Sequence, residues 1–271
     1  IDLLLVSIFL MGTHSTFFSP AKYGIVPELL PDAELSRANG LLEMSTFGAI
    51  VLGTAFGGEL FERWHDRPYV IAGTLIAIAV AGLVTSLGVP RVAAARPLAP
   101  VALNPFAEVW RGTARMWPDR TLWITTIGVS YFWFLGALLN IALLPFGETA
   151  LGVTHAEATR LYTPMAIGIA TGSLLAGRLS GGKVELGLVP IGSLGLGVLS
   201  LCLAGVHTYL GASLALVVLG LFGGLFAVPL NALLQQRPSA GEKGRVIATN
   251  NFFNTIGMVL AAAVLPLLGD R

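Results

Sequence analysis

Two ionisable side chains stand where a lipid-facing chain tolerates charge least. Lys22 lies in an apolar run that ends near Glu28, and Glu43 lies in the next run, beyond a short charged turn at Arg37. Charge at membrane depth is expensive and usually marks substrate, ion or proton chemistry. Lys22 is six residues before Glu28, and Glu43 is six residues after Arg37. On adjacent helices each therefore stands about 9 Å from the shared turn. The two groups either pair or face one aqueous cavity. An ammonium held there suits a phosphate or a carboxylate. The plainer alternatives are a Lys22–Glu43 lock between two helices, or a lysine that reaches back to the interface.

The other polar groups at this depth are Asn140, Asn231, Asn250, Asn251 and Asn254, with His14 and Gln235. His14, Asn39, Gln235, Asn250 and Asn254 are candidates for a polar network. Interhelical hydrogen bonding is the plain role for such amides, at about 0.6 kcal/mol each. His14 is a proton-coupling candidate, although a lone histidine in an apolar run more often packs and bonds. The segment GRLSGGK at Gly177–Lys183 places Arg178 and Lys183 in a turn, read as a conformational latch. It lacks the strand and the spacing of a phosphate-binding loop.

No catalytic set accompanies these residues. There is no Ser/His/Asp group in a credible context, no histidine cluster and no H-x-x-x-x-D pattern, and Cys202 is the single cysteine. A disulfide within the chain is excluded, and no metal-ligand spacing exists. The expectation is a protein that is not an enzyme and needs no cofactor or metal. Net charge is +1, which argues against nucleic acid as a partner.

The elements that must position these residues are membrane helices. The 271 residues are 55% hydrophobic and only 11% charged, with a mean hydropathy of +0.78. Soluble domains carry roughly 25% charged residues, so this chain lacks the charge to cover a water-facing surface. Eight stretches reach the length of about 20 apolar residues that a spanning helix needs. They are Leu3–Glu28, Ala38–Phe61, Tyr69–Val89, Leu122–Phe146, Leu161–Leu179, Leu186–Val206, Leu210–Gln235 and Val246–Leu268. No ten-residue alternation of the β-barrel kind appears. Residue 1 is Ile and no basic segment precedes the apolar run, so the start reads as the mouth of a membrane helix rather than a signal peptide.

Charge parity orients the spans. Lys22, Arg37, the arginines at 91, 96, 111, 115 and 120, Arg178, Lys183, Arg237, Lys243 and Arg245 fall on one side. That side holds 12 basic residues and the other holds four, Arg63, Arg67, Arg160 and Arg271. The positive-inside rule places the Arg37 turn, the 90–120 loop and the Arg245 turn in the cytoplasm. That long loop divides the chain into 1–89, 90–120 and 121–271. Its second part suits an amphipathic helix, with Asn104 as N-cap, Pro105 at the first position, and Phe106, Val109, Trp110, Thr113 and Trp117 near one face. It serves as a lever between halves or simply as a surface-bound linker. Small-residue faces for close helix contact are expected at Ala49/Gly53/Gly57, Gly168/Gly172/Ala176 and Gly220/Gly224.

The first two spans resemble the last two. Pro20 matches Pro229 and Lys22 matches Asn231; after the turn Asn39 matches Asn250 and Glu43 matches Asn254. The period is six helices with direction kept, the construction of the major facilitator superfamily. On a twelve-helix scheme the eight spans are the fourth to eleventh, and the fold class is an all-α polytopic bundle of that superfamily, truncated.

The motifs SPAKYGI at Ser19–Ile25, ANGLLE at Ala38–Glu43, RVAAARP at Arg91–Pro97 and VPLNALLQ at Val228–Gln235 closely resemble the bacterial lysophospholipid transporter family of this superfamily. SYFWFLGALLN at Ser130–Asn140 and LSGGKVELGLVPIGSLGL at Leu179–Leu196 look most like the transporter part of members fused to a phospholipid acyltransferase. The resemblance implies a multi-pass inner-membrane transporter that moves lysophospholipids, chiefly lysophosphatidylethanolamine, to the inner leaflet for reacylation. It implies membrane lipids and a fused or separate acyltransferase as partners, and a central cavity that includes Asn140 and Asn231. The stand-alone transporters resembled carry an arginine near the middle of the seventh helix, where this chain has Asn140. A carboxylate of the first helix lies outside the chain. Two other functions remain in view: efflux of a different amphiphile or drug, and a membrane module that delivers substrate to a fused acyltransferase.

Overall fold

A computed structural model describes residues 2–93 and 104–269. Ten α-helices are described: α1 (Asp2–Leu29), α2 (Leu35–Trp64), α3 (Pro68–Ser86), α4 (Pro105–Met116), α5 (Arg120–Pro145), α6 (His155–Arg160), α7 (Tyr162–Leu179), α8 (Leu188–Ala204), α9 (Tyr209–Gln236) and α10 (Lys243–Gly269). Each of the eight expected spans falls on one of the long helices. Five stretches, in α2, α3, α5, α9 and α10, are long and apolar enough to cross a membrane, and α8 is apolar but 17 residues long. α3 has no buried residue although it is apolar on every face. Such a surface is stable in lipid and not in water.

Most of the core lies around α9, which packs against α7, α8, α5 and α2. The contact with α7 is close because glycines meet there. A methyl group at Gly168 or Gly172 would overlap the carbonyls of Val217 or Leu221, and one at Gly224 would overlap the Ser173 backbone. Two of the expected small-residue faces thus meet each other. The third does not pack: a Cβ at Gly53 or Gly57 would meet nothing within 4 Å. α2 instead approaches α7 through Ser36 and Gly40, against Ser173 and Gly177. The glycine spacing along α2 was present, but the helix is rotated so that another face meets its neighbour.

The two hairpins suggested by the repeat, α1–α2 and α9–α10, pack across one another, α1 on α10 and α2 on both α9 and α7. The described basic connections gather at one end of the bundle. Ser36 Oγ donates to the carbonyl of Lys183 at 3.0 Å, joining the α1–α2 turn to the α7–α8 turn. Arg237 pairs with Asp119 at 2.8 Å, and Arg245 with Glu108 at 3.3 Å, joining the α9–α10 turn to α4 and α5. The RVAAARP motif lies partly outside the described residues. α4 forms as expected, with Asn104 Oδ1 accepting from the Ala107 amide at 3.1 Å. Its Gly112–Met116 side packs on α10 beside Thr249, while Phe106, Trp110 and Trp117 stay exposed.

Candidate functional site

Helix breaks prepare the site before any side chain reaches it. Pro27 in α1 has no N–H to give the carbonyl of Tyr23, four residues back. Gln235 of α9 supplies the missing donor: its Nε2 donates to Tyr23 O at 3.0 Å. The same amide exchanges bonds with Asn39 of α2, which donates to Gln235 Oε1 at 2.6 Å and accepts from Nε2 at 3.2 Å. Asn39 also donates to Leu35 O at 2.8 Å, and both amides are almost fully buried. One glutamine therefore ties three helices together, and every buried amide hydrogen involved has a place to go.

One turn deeper, Glu43 is buried and accepts from the Tyr23 hydroxyl at 2.7 Å and, more weakly, from Asn231 Nδ2 at 3.5 Å. Lys22 does not pair with it. Its Nζ donates to Thr46 Oγ1 at 2.7 Å and lies 5.1 Å from the Tyr23 ring centroid. The direct Lys22–Glu43 lock, one of the alternatives above, does not form, and two separate hydrogen bonds stand in its place. Tyr23 takes the carboxylate, and Lys22, on a neighbouring position of α1, turns to a hydroxyl three residues beyond Glu43.

Beside the Tyr23–Glu43 bond is a polar pocket of about 30 Å³, bounded by α1, α5, α9 and α10. Ser19, Tyr23, Asn231, Asn250, Asn251 and Asn254 contribute to its wall. Asn251 donates to Ser19 Oγ at 3.2 Å, and Asn254 accepts from Ser130 Oγ at 3.1 Å. Asn250 Oδ1 is buried with no hydrogen-bond partner among the described residues. The pocket has room for about one water-sized group.

Asn140 does not join Asn231. It lines a separate cavity of about 360 Å³ formed by α2, α5, α7, α8, α9 and α10, whose walls are apolar except for Asn140 and the Trp133 indole. Trp133 borders both spaces. The cavity lies beyond the polar pocket, farther from the Arg37 turn. All described hydrogen bonds between α1–α2 and the rest of the bundle fall within about three helical turns of that end, or roughly 15 Å. The described hydrogen bonds thus join α1–α2 to the rest of the bundle near the Arg37 end, and the cavity lies beyond them.

Two other expectations meet different surroundings. His14 is exposed and stacked on Phe18, with ring centroids 6.0 Å apart, so it takes no part in the polar network. At the expected latch, the Lys183 side chain pairs with Glu185 at 2.7 Å, and its backbone carbonyl makes the bridge to Ser36. Gly181 (φ 57°) and Gly182 (φ 82°) make the left-handed turn that presents this carbonyl, a conformation other residues rarely take. Arg178 is exposed and lines a cleft of about 340 Å³ with Arg37.

Sequence reasoning missed Tyr23, Thr46, Ser19, Ser36 and Trp133. Ser19 and Tyr23 are four apart in SPAKYGI and share a helix face, so that signal was available. For the rest no local signal exists. Outside the spans, Asp119 caps α5 through the Thr121 and Leu122 amides. The hydrogen bond from Arg237 holds its carboxyl below the usual range, aided by those amides.

The model of the Major Facilitator Superfamily matches residues 1–262. Curated relatives are the lysophospholipid transporter LplT of Klebsiella pneumoniae (strain ATCC 700721 / MGH 78578), 36% identical over 264 residues, and that of Escherichia coli (strain K12 / DH10B), 36% identical over 263. Each alignment covers 95% of this chain, and the chain spans 65% of each relative's length. A match across nearly the whole sequence, the apolar helices and the repeated hairpin agree: the chain is a multi-pass membrane protein and belongs to the major facilitator superfamily.

Proposed function

We propose that the chain forms the larger part of an alternating-access transporter that carries lysophospholipids to the inner leaflet of a bacterial inner membrane for reacylation. The observation that carries this reading is the pairing of spaces around Trp133. A polar pocket rimmed by amides, water-sized in this conformation, adjoins a large apolar cavity, and residues of α1 or α2 and of the later helices line each. An amphiphile with one head group and one chain matches that division. The relatives' names point to the same class of substrate.

Lys22 is the cation available to a phosphodiester. An ammonium has three donors, and a single described hydrogen bond, to Thr46, occupies Lys22. Asn140 brings no charge to the cavity, so charge recognition in this part of the protein rests with α1. The excess of basic residues puts the Arg37 end in the cytoplasm, and this conformation is then the one closed to that side. The Gly181–Lys183 turn holds the closure, through the Lys183 carbonyl that accepts from Ser36.

The test uses the full-length protein in proteoliposomes, with labelled lysophosphatidylethanolamine set against a panel of cationic and neutral drugs. Lysolipid movement well above protein-free vesicles, with drugs unmoved, is the expected result. Drug movement without lysolipid movement overturns the reading. Lys22→Ala should lose transport while Lys22→Arg keeps part of it. A folded Lys22→Ala protein with full transport removes Lys22 from the site.

A further inference from the structure

The large cavity is already open in this conformation, whereas the polar pocket holds no more than a water-sized group. We infer that the cavity houses the substrate's acyl chain inside the protein during transport, and that Gly136 on α5 sets how long a chain fits; this rests on the lysophospholipid reading above. The alternative is a chain left in the bilayer while the head group alone crosses.

Three observations favour an internal chain. The walls are apolar, with Phe47 and Ile50 from α2 facing Met165 and Leu219 from α7 and α9. Such a space gains by taking hydrocarbon rather than water. Its volume of about 360 Å³ is well above the roughly 150 Å³ of an apolar cavity that stays dry and binds benzene. Trp133 forms a wall of both spaces, so a chain in the cavity ends beside the Asn231 and Asn250 amides, where a head group sits once that pocket widens.

Gly136 is the place to measure this. It lines the cavity, and a Cβ added there would meet nothing within 4 Å. A side chain at 136 therefore starts into the space with its first carbon free of the protein. Gly223, on the facing wall, differs, since a Cβ there would stand 3.3 Å from the Phe132 ring.

The experiment compares Gly136→Leu and Gly136→Ala with wild type in full-length protein, using lysophosphatidylethanolamines from octanoyl to stearoyl. Each buried methylene contributes a factor of about four in affinity. Gly136→Leu should depress long-chain transport at least about tenfold relative to short-chain transport, and Gly136→Ala about fourfold or less. A direct measurement accompanies it: lysolipids brominated at the chain end should quench Trp133 in a variant that keeps only that tryptophan. This decides the matter if Gly136→Leu fails to fold. An equal effect on all chain lengths, no effect, or no quenching places the chain in the bilayer and overturns the inference. Quenching by a single-chain amphiphile in a wild-type protein that moves no lysophospholipid leaves the cavity assignment standing and removes the lysophospholipid reading.

Discussion

Replacing Gln235 by leucine should unlock the closed end. Gln235 is buried, and its amide serves the Tyr23 carbonyl and both polar atoms of the Asn39 side chain. Leucine strands the buried Asn39 Oδ1 and the part-buried Tyr23 O, and takes the acceptor from one Asn39 N–H. Each stranded group costs about 1–3 kcal/mol. Water reaches both when the halves part, so the penalty falls on the closed state. Even about 2 kcal/mol shifts the closed–open balance roughly 30-fold. The assay is the distance between spin labels at Arg37 and Arg178, exposed positions on α2 and α7 at that end, in full-length protein with Cys202 replaced. A longer-distance population should appear in Gln235→Leu. Pro27→Ala provides an internal control, because alanine restores the N–H that Tyr23 O lacks. In that background Gln235→Leu should cost less, by the Tyr23 share. An unchanged distance distribution, or an equal effect with and without Pro27, would refute the reasoning.

Three further outcomes follow from the same geometry. Gly172→Ala should destabilise the bundle by about 1–3 kcal/mol, because the methyl meets the Leu221 backbone, whereas Gly53→Ala should be neutral within about 0.5 kcal/mol; thermal melting in detergent reads both. Tyr23→Phe removes the 2.7 Å bond to buried Glu43 and should cost about 1–3 kcal/mol by the same melt, with transport reduced. At Asp119 the lowered carboxyl pKa stabilises the fold above the unfolded value of about 3.9, and that contribution fades as pH falls through the lower folded value. Protection from hydrogen exchange at the start of α5, taken relative to the intrinsic rate at each pH, should therefore fall at acid pH. Asp119→Asn, which keeps a capping residue, should cost less than Asp119→Ala, whose lost cap costs about 0.5–2 kcal/mol.

Much of this protein was legible in the chain because membrane helices are specified locally. Each must satisfy its own backbone and expose apolar residues, so length and composition located α1, α2, α3, α5, α7, α8, α9 and α10. Charge parity foresaw which turns gather at one end. The cap of α4 and the α7–α9 glycine contact were likewise written in adjacent residues.

Partners were not. Depth along a helix follows from counting residues, and counting rightly placed Lys22 and Glu43 near one level. Rotation about the axis and the choice of hydrogen-bond partner depend on surfaces far away in sequence. Asn39 and Gln235 are 196 positions apart, and Glu43 and Asn231 are 188 apart. Tertiary contact decided that Glu43 binds Tyr23 rather than Lys22, and that Asn140 faces hydrocarbon while Asn231 faces amides. It also decided that the carbonyl released by Pro27 is satisfied from α9. The sequence by itself determined the helices and the depth of the charges in them. Only the assembled bundle determined what those charges meet, because a buried polar group takes whichever partner the neighbouring helix brings within reach.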